Sequence, residues 1–210
     1  MEYVGKIKKY LSNTKWYHAT TLSNWQSIHK LGVRADYNKE TSGELDFGFG
    51  FYLSNKPSSA ENYIIGLKRA GVLSNNDVLT IIEFSFSPLK WFEEDIYNTY
   101  VINNHNDEFA LFVYENRMYN IGGQRQHKYD AIFGVMTDSS PVDTISRHRM
   151  GELSKEQVIE AFKKTMSMKQ LSLHNQDLCD IISPVRVYTI YEDDNCEIIR
   201  KELNLDADNG

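Results

Sequence analysis

Only two cysteines occur in the 210 residues, Cys179 and Cys196, and each stands isolated in the sequence. A disulfide framework needs more of them and a thiolate metal site needs paired spacing, so both read as small buried hydrophobes, one on a helix and one on a strand. Four prolines beside a hydrophobic fraction of 41% exclude a disordered chain. No apolar run reaches the length of a bilayer span, so no membrane partner is expected. Met1 to Lys15 carries lysines but no apolar stretch, which excludes a secretory signal and makes the cytoplasm the expected compartment. Basic charge is in the minority, 23 Lys and Arg against 29 Asp and Glu, and the net charge of −6 gives no overall footprint for nucleic acid. His105, His127, His148 and His174 lack metal-ligand spacing, and no metal cofactor is expected. The glycines form neither a Walker loop nor a dinucleotide fingerprint.

What is present is a chain long enough for one sizeable domain, expected over residues 1–205, with a frayed acidic tail at 206–210. Helices and strands mix without βαβ alternation, which points to an α+β fold. Strands are expected at Trp16–Thr20, Gly50–Leu53, Val78–Phe86, Tyr129–Met136 and Lys169–His174, with a closing hairpin of Val185–Tyr191 and Cys196–Ile199. Helices are expected at Ser23–Leu31, capped by Ser23 with Gln26, and at Pro57–Arg69, Asp107–Met118 and Ser154–Met166, the last capped by Ser154 with Gln157. A further helix is expected across Trp91–Val101, and a short one capped by Asn175 and ended by Pro184. Arg34–Leu45 reads as a polar mobile loop. Arg147-His148-Arg149 and Gln124-Arg125-Gln126-His127-Lys128 read as solvated basic loops.

Two stretches stand out. Asp46-Phe47-Gly48-Phe49-Gly50-Phe51-Tyr52-Leu53-Ser54 is a glycine turn feeding an aromatic strand, with a helix start at Ser54-Asn55-Lys56-Pro57. Trp16-Tyr17-His18-Ala19-Thr20 is a β-prone run that centres a histidine and is followed by a helix ending in Leu31-Gly32-Val33. Together, Tyr-His-Ala-Thr and Asp-Phe-Gly-x-Gly-Phe-Tyr-Leu-Ser, with a following helix containing Ala60, resemble an ADP-ribosyltransferase. The likeness is to the branch with a His-Tyr-Glu triad shared by diphtheria toxin and poly(ADP-ribose) polymerases, and within it to small bacterial members that often carry Gln in third place. The sharp motifs cover about a quarter of the chain.

The resemblance implies mixed sheets split around an NAD⁺ cleft and a mono-ADP-ribosyltransferase acting on protein, DNA or RNA, the alternatives being an NAD⁺ glycohydrolase and a catalytically inactive NAD-binding module. It further implies a bacterial toxin or defence effector, with an antitoxin as a possible partner. His18 would hold the ribose, Ala19 would contact the carboxamide with Thr20 beside it, and Tyr52 would stack on nicotinamide. Gln170 matches the third position, with Glu115 and then Glu83 as competing carboxylates; Glu83 is expected to face solvent at a strand edge. An amide can bind a ribose hydroxyl but takes no proton. Between the two glycines relatives often carry a basic residue where this chain has Phe49. Arg34 could replace that charge, or Phe49 could stack on adenine, with Gly50 allowing close approach.

Overall fold

The computed structural model describes residues 2–37, 45–94, 96–119, 125–137, 141–164, 168–193 and 195–205. The fold is mixed α+β, with eight strands and eight helices among those residues. They form two compact units that share the chain alternately. One comprises residues up to Val33, Leu53–Glu93 and Asp180 onward; the other comprises Arg34–Tyr52 and Glu94–Cys179. The expected tail at 206–210 and residues 38–44 of the expected mobile loop lie outside the described residues.

The first unit begins with α1 (Glu2–Leu11) and β1 (Lys15–Thr21), and continues through α2 (Leu22–Leu31). After the chain returns it contributes the end of β2 (Phe51–Ser54), then α3 (Pro57–Arg69), β3 (Leu79–Ser85), α4 (Leu89–Glu93), β7 (Pro184–Glu192) and β8 (Ile198–Leu203). β1, β3, β7 and β8 pair antiparallel in that order, with His18 opposite Ile82, and Ser54 faces Tyr17 on the other side of β1. Alternation along the strands sends Tyr17, Ile81, Tyr188 and Ile190 to the face covered by Ala60, Ile64 and Ile65 of α3. His18 points from the opposite face of β1, half-buried.

The second unit holds β4 (Thr99–Ile102), α5 (Asp107–Tyr119), β5 (Ala131–Val135), α6 (Pro141–Arg149), α7 (Lys155–Phe162), β6 (Lys169–Leu173) and most of α8 (Gln176–Asp180). β4 runs parallel to β5, a pairing that requires the crossover through α5, and β5 runs antiparallel to β6. Phe109, Ala110 and Val113 of α5, Ile145 of α6, and Val158 and Phe162 of α7 pack with Ile102, Ile132 and Val135 of the strands. Phe47, fully buried, belongs to the same core and anchors the glycine turn to it.

Several expectations are corrected. Thr21, not Ser23, caps α2 by accepting from the Asn24 amide, because β1 runs one residue further than its apolar pattern and delivers Thr21 to the junction in extended geometry. The Gly32 amide closes the same helix on Ile28 O, and α7 carries the expected Ser154–Gln157 capping box. Trp91–Val101 is not one helix: α4 ends at Glu93 and β4 starts at Thr99, where pairing with β5 outweighs local preference. Arg147-His148-Arg149 forms the last turn of α6, where basic charge suits the helix dipole. Pro184 opens β7 instead of ending a helix. Glu83 is buried on an interior strand and held by Lys15 at 2.8 Å. Cys179 is buried, but Cys196 is exposed with φ 61° in the turn before β8.

Candidate functional site

The glycine turn is held from three sides within the second unit. Gly48 adopts φ +75°, which lets the chain reverse after Phe47. The Tyr52 hydroxyl then reaches back into the turn, donating to Gly48 O at 2.6 Å and accepting from the Phe47 amide at 3.1 Å. That pair of bonds fixes the ring in place. Phe47 stacks beside it at 20°, and His174 meets it edge-on with centroids 6.3 Å apart.

Two histidines accept no role from spacing alone, yet both grip this turn. His174 Nδ1 donates to Phe49 O at 2.7 Å, and Nε2 lies 2.8 Å from the Ser172 hydroxyl. His127 Nε2 donates to Phe47 O at 2.7 Å, and its Nδ1 accepts from the Tyr129 amide at 3.2 Å. His127 therefore has one donating and one accepting nitrogen, the neutral form, while His174 carries its proton on Nδ1. Burial pushes His127 down to about 4, with Arg125 adding to the shift and the Phe47 carbonyl opposing it. Burial holds His174 well below the ordinary histidine range, reinforced by His127 and Arg125. Arg125 places its guanidinium 4.4 Å over the Phe49 ring and donates to His174 O at 2.8 Å. Arg125 and His127 are thus packed parts of the site, not the solvated loop that their sequence suggests.

A second cluster adjoins the first through Asp46. Its carboxylate accepts from Arg117 Nε at 3.0 Å and Nη2 at 2.5 Å, and from the Thr137 amide at 3.0 Å and hydroxyl at 2.8 Å. Gln170 Nε2 is the fifth donor, at 3.2 Å. All four residues are buried, with Asp46 and Arg117 each 5% exposed. A charge pair this deep is tolerated only because its oxygens are saturated with donors.

β6 and β2 are neighbouring strands. Gln170, Ser172 and His174 follow one another along a single face of β6 and its continuation. Since the Tyr52 ring meets His174, Tyr52 and Gln170 share that face. The second unit therefore brings together Tyr52, Gln170, Phe49 and Gly50. Phe49 is buried, with its ring already covered by Arg125. Arg34, also of this unit, is exposed and paired with Asp36 at 3.0 Å. His18, Ala19 and Thr20 belong to the first unit, His18 and Ala19 half-buried and Thr20 buried. Glu115 lies half-buried on α5.

Sequence reasoning gave no part to Asp46, Arg117, Thr137, His127 or His174. The one signal for Asp46 was its place at the head of the glycine motif, an acid just before residues that must be buried. No group of three or more His, Cys, Asp or Glu side chains suited to a metal ion occurs among the described residues. No helix of those residues is long and apolar enough to cross a membrane.

Fold and site together define an α+β protein with a braced aromatic turn. Residues 17–183 match the family described as "Protein of unknown function (DUF3990)", and the chain belongs to that family. No curated protein and no solved structure matches it.

Proposed function

We propose that this chain is a mono-ADP-ribosyltransferase that cleaves NAD⁺ and passes ADP-ribose to a macromolecular acceptor. The observation that carries the reading is the fixed Tyr52 ring, tied by its hydroxyl to the Phe47 amide and the Gly48 carbonyl, with the buried Gln170 amide on the neighbouring strand. The C1′–N bond of NAD⁺ leads to a leaving group that departs neutral while positive charge builds on the ribose. Such a reaction gains most from rigid placement of nicotinamide and ribose. A ring that cannot turn is a stacking surface already organised for nicotinamide. Gln170 supplies a hydrogen bond to a ribose hydroxyl and no proton transfer. His18 takes the ribose contact and Ala19 the carboxamide contact in this reading, as the Tyr-His-Ala-Thr motif implies. A Gln in third place leaves the acceptor to bring its own nucleophilicity.

The test is nicotinamide release from NAD⁺, with labelled NAD⁺ and mass spectrometry of macromolecules after a brief pulse of expression. His18→Ala and Tyr52→Ala should each lower turnover by about 10²–10³ while the protein still melts cooperatively. Wild-type turnover in both variants removes the proposed site. Nicotinamide release with no labelled macromolecule identifies water as the acceptor and makes the enzyme a glycohydrolase.

A further inference from the structure

Gln170 is an amide whose two ends differ in function, and its surroundings decide which end a ligand meets. Nε2 points at Asp46 Oδ2 at 3.2 Å. Turning the amide over would set Oε1 against a carboxylate oxygen that carries no hydrogen, two acceptors face to face. The four other bonds to Asp46, from Arg117 and Thr137, fix the carboxylate itself. The orientation of Gln170 is therefore imposed by a buried charge pair and not by the strand it stands on. No hydrogen bond from another side chain reaches Gln170 Oε1 among the described residues, and that oxygen is not among the buried atoms left without a partner.

We propose that Asp46 is a positioning residue that locks the Gln170 amide so that its carbonyl oxygen accepts the 2′-hydroxyl of the nicotinamide ribose. The inference rests on the ADP-ribosyltransferase reading and adds the sense of the hydrogen bond and its cause. The specificity it creates is for a ligand that donates at that point. A fluorine in place of the 2′-hydroxyl offers no proton and loses the bond. It also explains why an acid is foreign to position 170 here. A carboxylate there would stand beside Asp46, whose charge already answers Arg117, and like charges at this distance oppose ionisation. Of the other titratable groups on the same face, Tyr52 commits its hydroxyl to the glycine turn and His174 is kept neutral by burial.

Two measurements on the full chain test this. The first compares melting temperature against pH for wild type, Gln170→Glu and Gln170→Met. Burial at this position and the Asp46 charge both raise the pKa of the introduced glutamate in the folded state, so folded protein holds that proton where unfolded protein has lost it; Asp46→Asn combined with Gln170→Glu removes the Asp46 share and should flatten the curve. Stability of Gln170→Glu is then retained below the ordinary glutamate range and lost as pH rises. Relative to wild type its melting temperature should fall by roughly 5–10 °C between pH 5 and pH 8. Gln170→Met, with nothing to titrate, should run parallel to wild type. A parallel curve for Gln170→Glu overturns the role of Asp46.

The second measurement compares binding of NAD⁺ and of its 2′-fluoro analogue. Wild type should favour NAD⁺ by about tenfold, and Gln170→Met should bind the two alike. If wild type binds and cleaves NAD⁺ but Gln170→Met keeps the preference, the enzymatic reading stands and this inference falls. If wild type neither binds nor cleaves NAD⁺, the enzymatic reading falls with its ligand, while the pH comparison of Gln170→Glu with and without Asp46→Asn still decides whether Asp46 governs position 170: equal curves for the two overturn it.

Discussion

Adding a single methyl group at Gly50 should damage this protein about as much as a core truncation would. An alanine Cβ there would lie 2.5 Å from His174 Nδ1, 2.8 Å from His174 Cε1 and 2.8 Å from Leu173 O. The carbonyl belongs to the end of β6 and cannot swing away without breaking the strand. The imidazole is 3% exposed and hydrogen-bonded at both nitrogens, to Phe49 O and to Ser172. Overpacking of this kind costs about 1–3 kcal/mol. Displacing the ring also leaves a buried Nδ1–H without its acceptor, about 1–3 kcal/mol more. The sum, about 2–6 kcal/mol, corresponds to a drop of roughly 5–20 °C in melting temperature for a chain of this size. Gly66→Ala is the matched control: it lies inside α3 with nothing within 4 Å of the added carbon, and should gain up to about 1 kcal/mol. Thermal melts of both variants, with NMR of the His174 Nδ1 proton, read the effect. A Gly50→Ala protein melting within about 2 °C of wild type with that proton unshifted would refute the argument.

Acid stability should follow the histidines. His127 is pushed down to about 4 in the folded protein, whereas in the unfolded chain it titrates near its ordinary value of about 6.5. Between those values the unfolded chain binds the extra proton, so stability is full above the upper value and is lost as pH falls toward the lower one. His127→Gln keeps a donor for Phe47 O but cannot titrate, and should remove roughly 2–3 kcal/mol of that acid loss; an unchanged slope in urea melts from pH 6.5 to 4 rejects the assignment. Tyr52→Phe keeps the ring and deletes both hydroxyl bonds to the turn. It should cost about 1–3 kcal/mol and lower nicotinamide release while leaving stacking surface in place; stability equal to wild type would mean the hydroxyl does not brace the turn.

The fold was legible wherever a local pattern carried it. The runs that became β3, α3 and α7 announce themselves by continuous apolar character, helical spacing or a capping box. The failures lie where a distant partner makes the choice. Trp91–Val101 mixes aromatic and acidic residues with no clean period, and only the neighbouring β5 turns its end into a strand. Thr21 and Ser23 are both good caps, and the point where β1 stops pairing with β3 selects the first. Glu83 looks like an edge residue until β7 pairs on its far side and Lys15 covers its charge.

The site divides along the same line. Tyr52 was legible because a glycine turn and an aromatic strand are adjacent in sequence. What fixes its ring and orients Gln170 was not, because the contacts that do so cross long stretches of chain: Arg117 is 71 residues from Asp46, Gln170 is 124 from it, and His174 is 125 from Phe49. A search for metal-ligand spacing passes over His127 and His174, since neutral histidines serving backbone carbonyls need no spacing at all. Their effect is nevertheless specific. His127, Tyr52 and His174 bind the carbonyls of Phe47, Gly48 and Phe49 in turn, so three consecutive peptides of the glycine turn are each held by a different side chain. A turn chosen for freedom by its glycines is thereby made rigid by its neighbours. Glycine at positions 48 and 50 admits the close approach, the histidines and the tyrosine remove the motion, and the ring that results is a fixed surface on which a planar ligand can be placed.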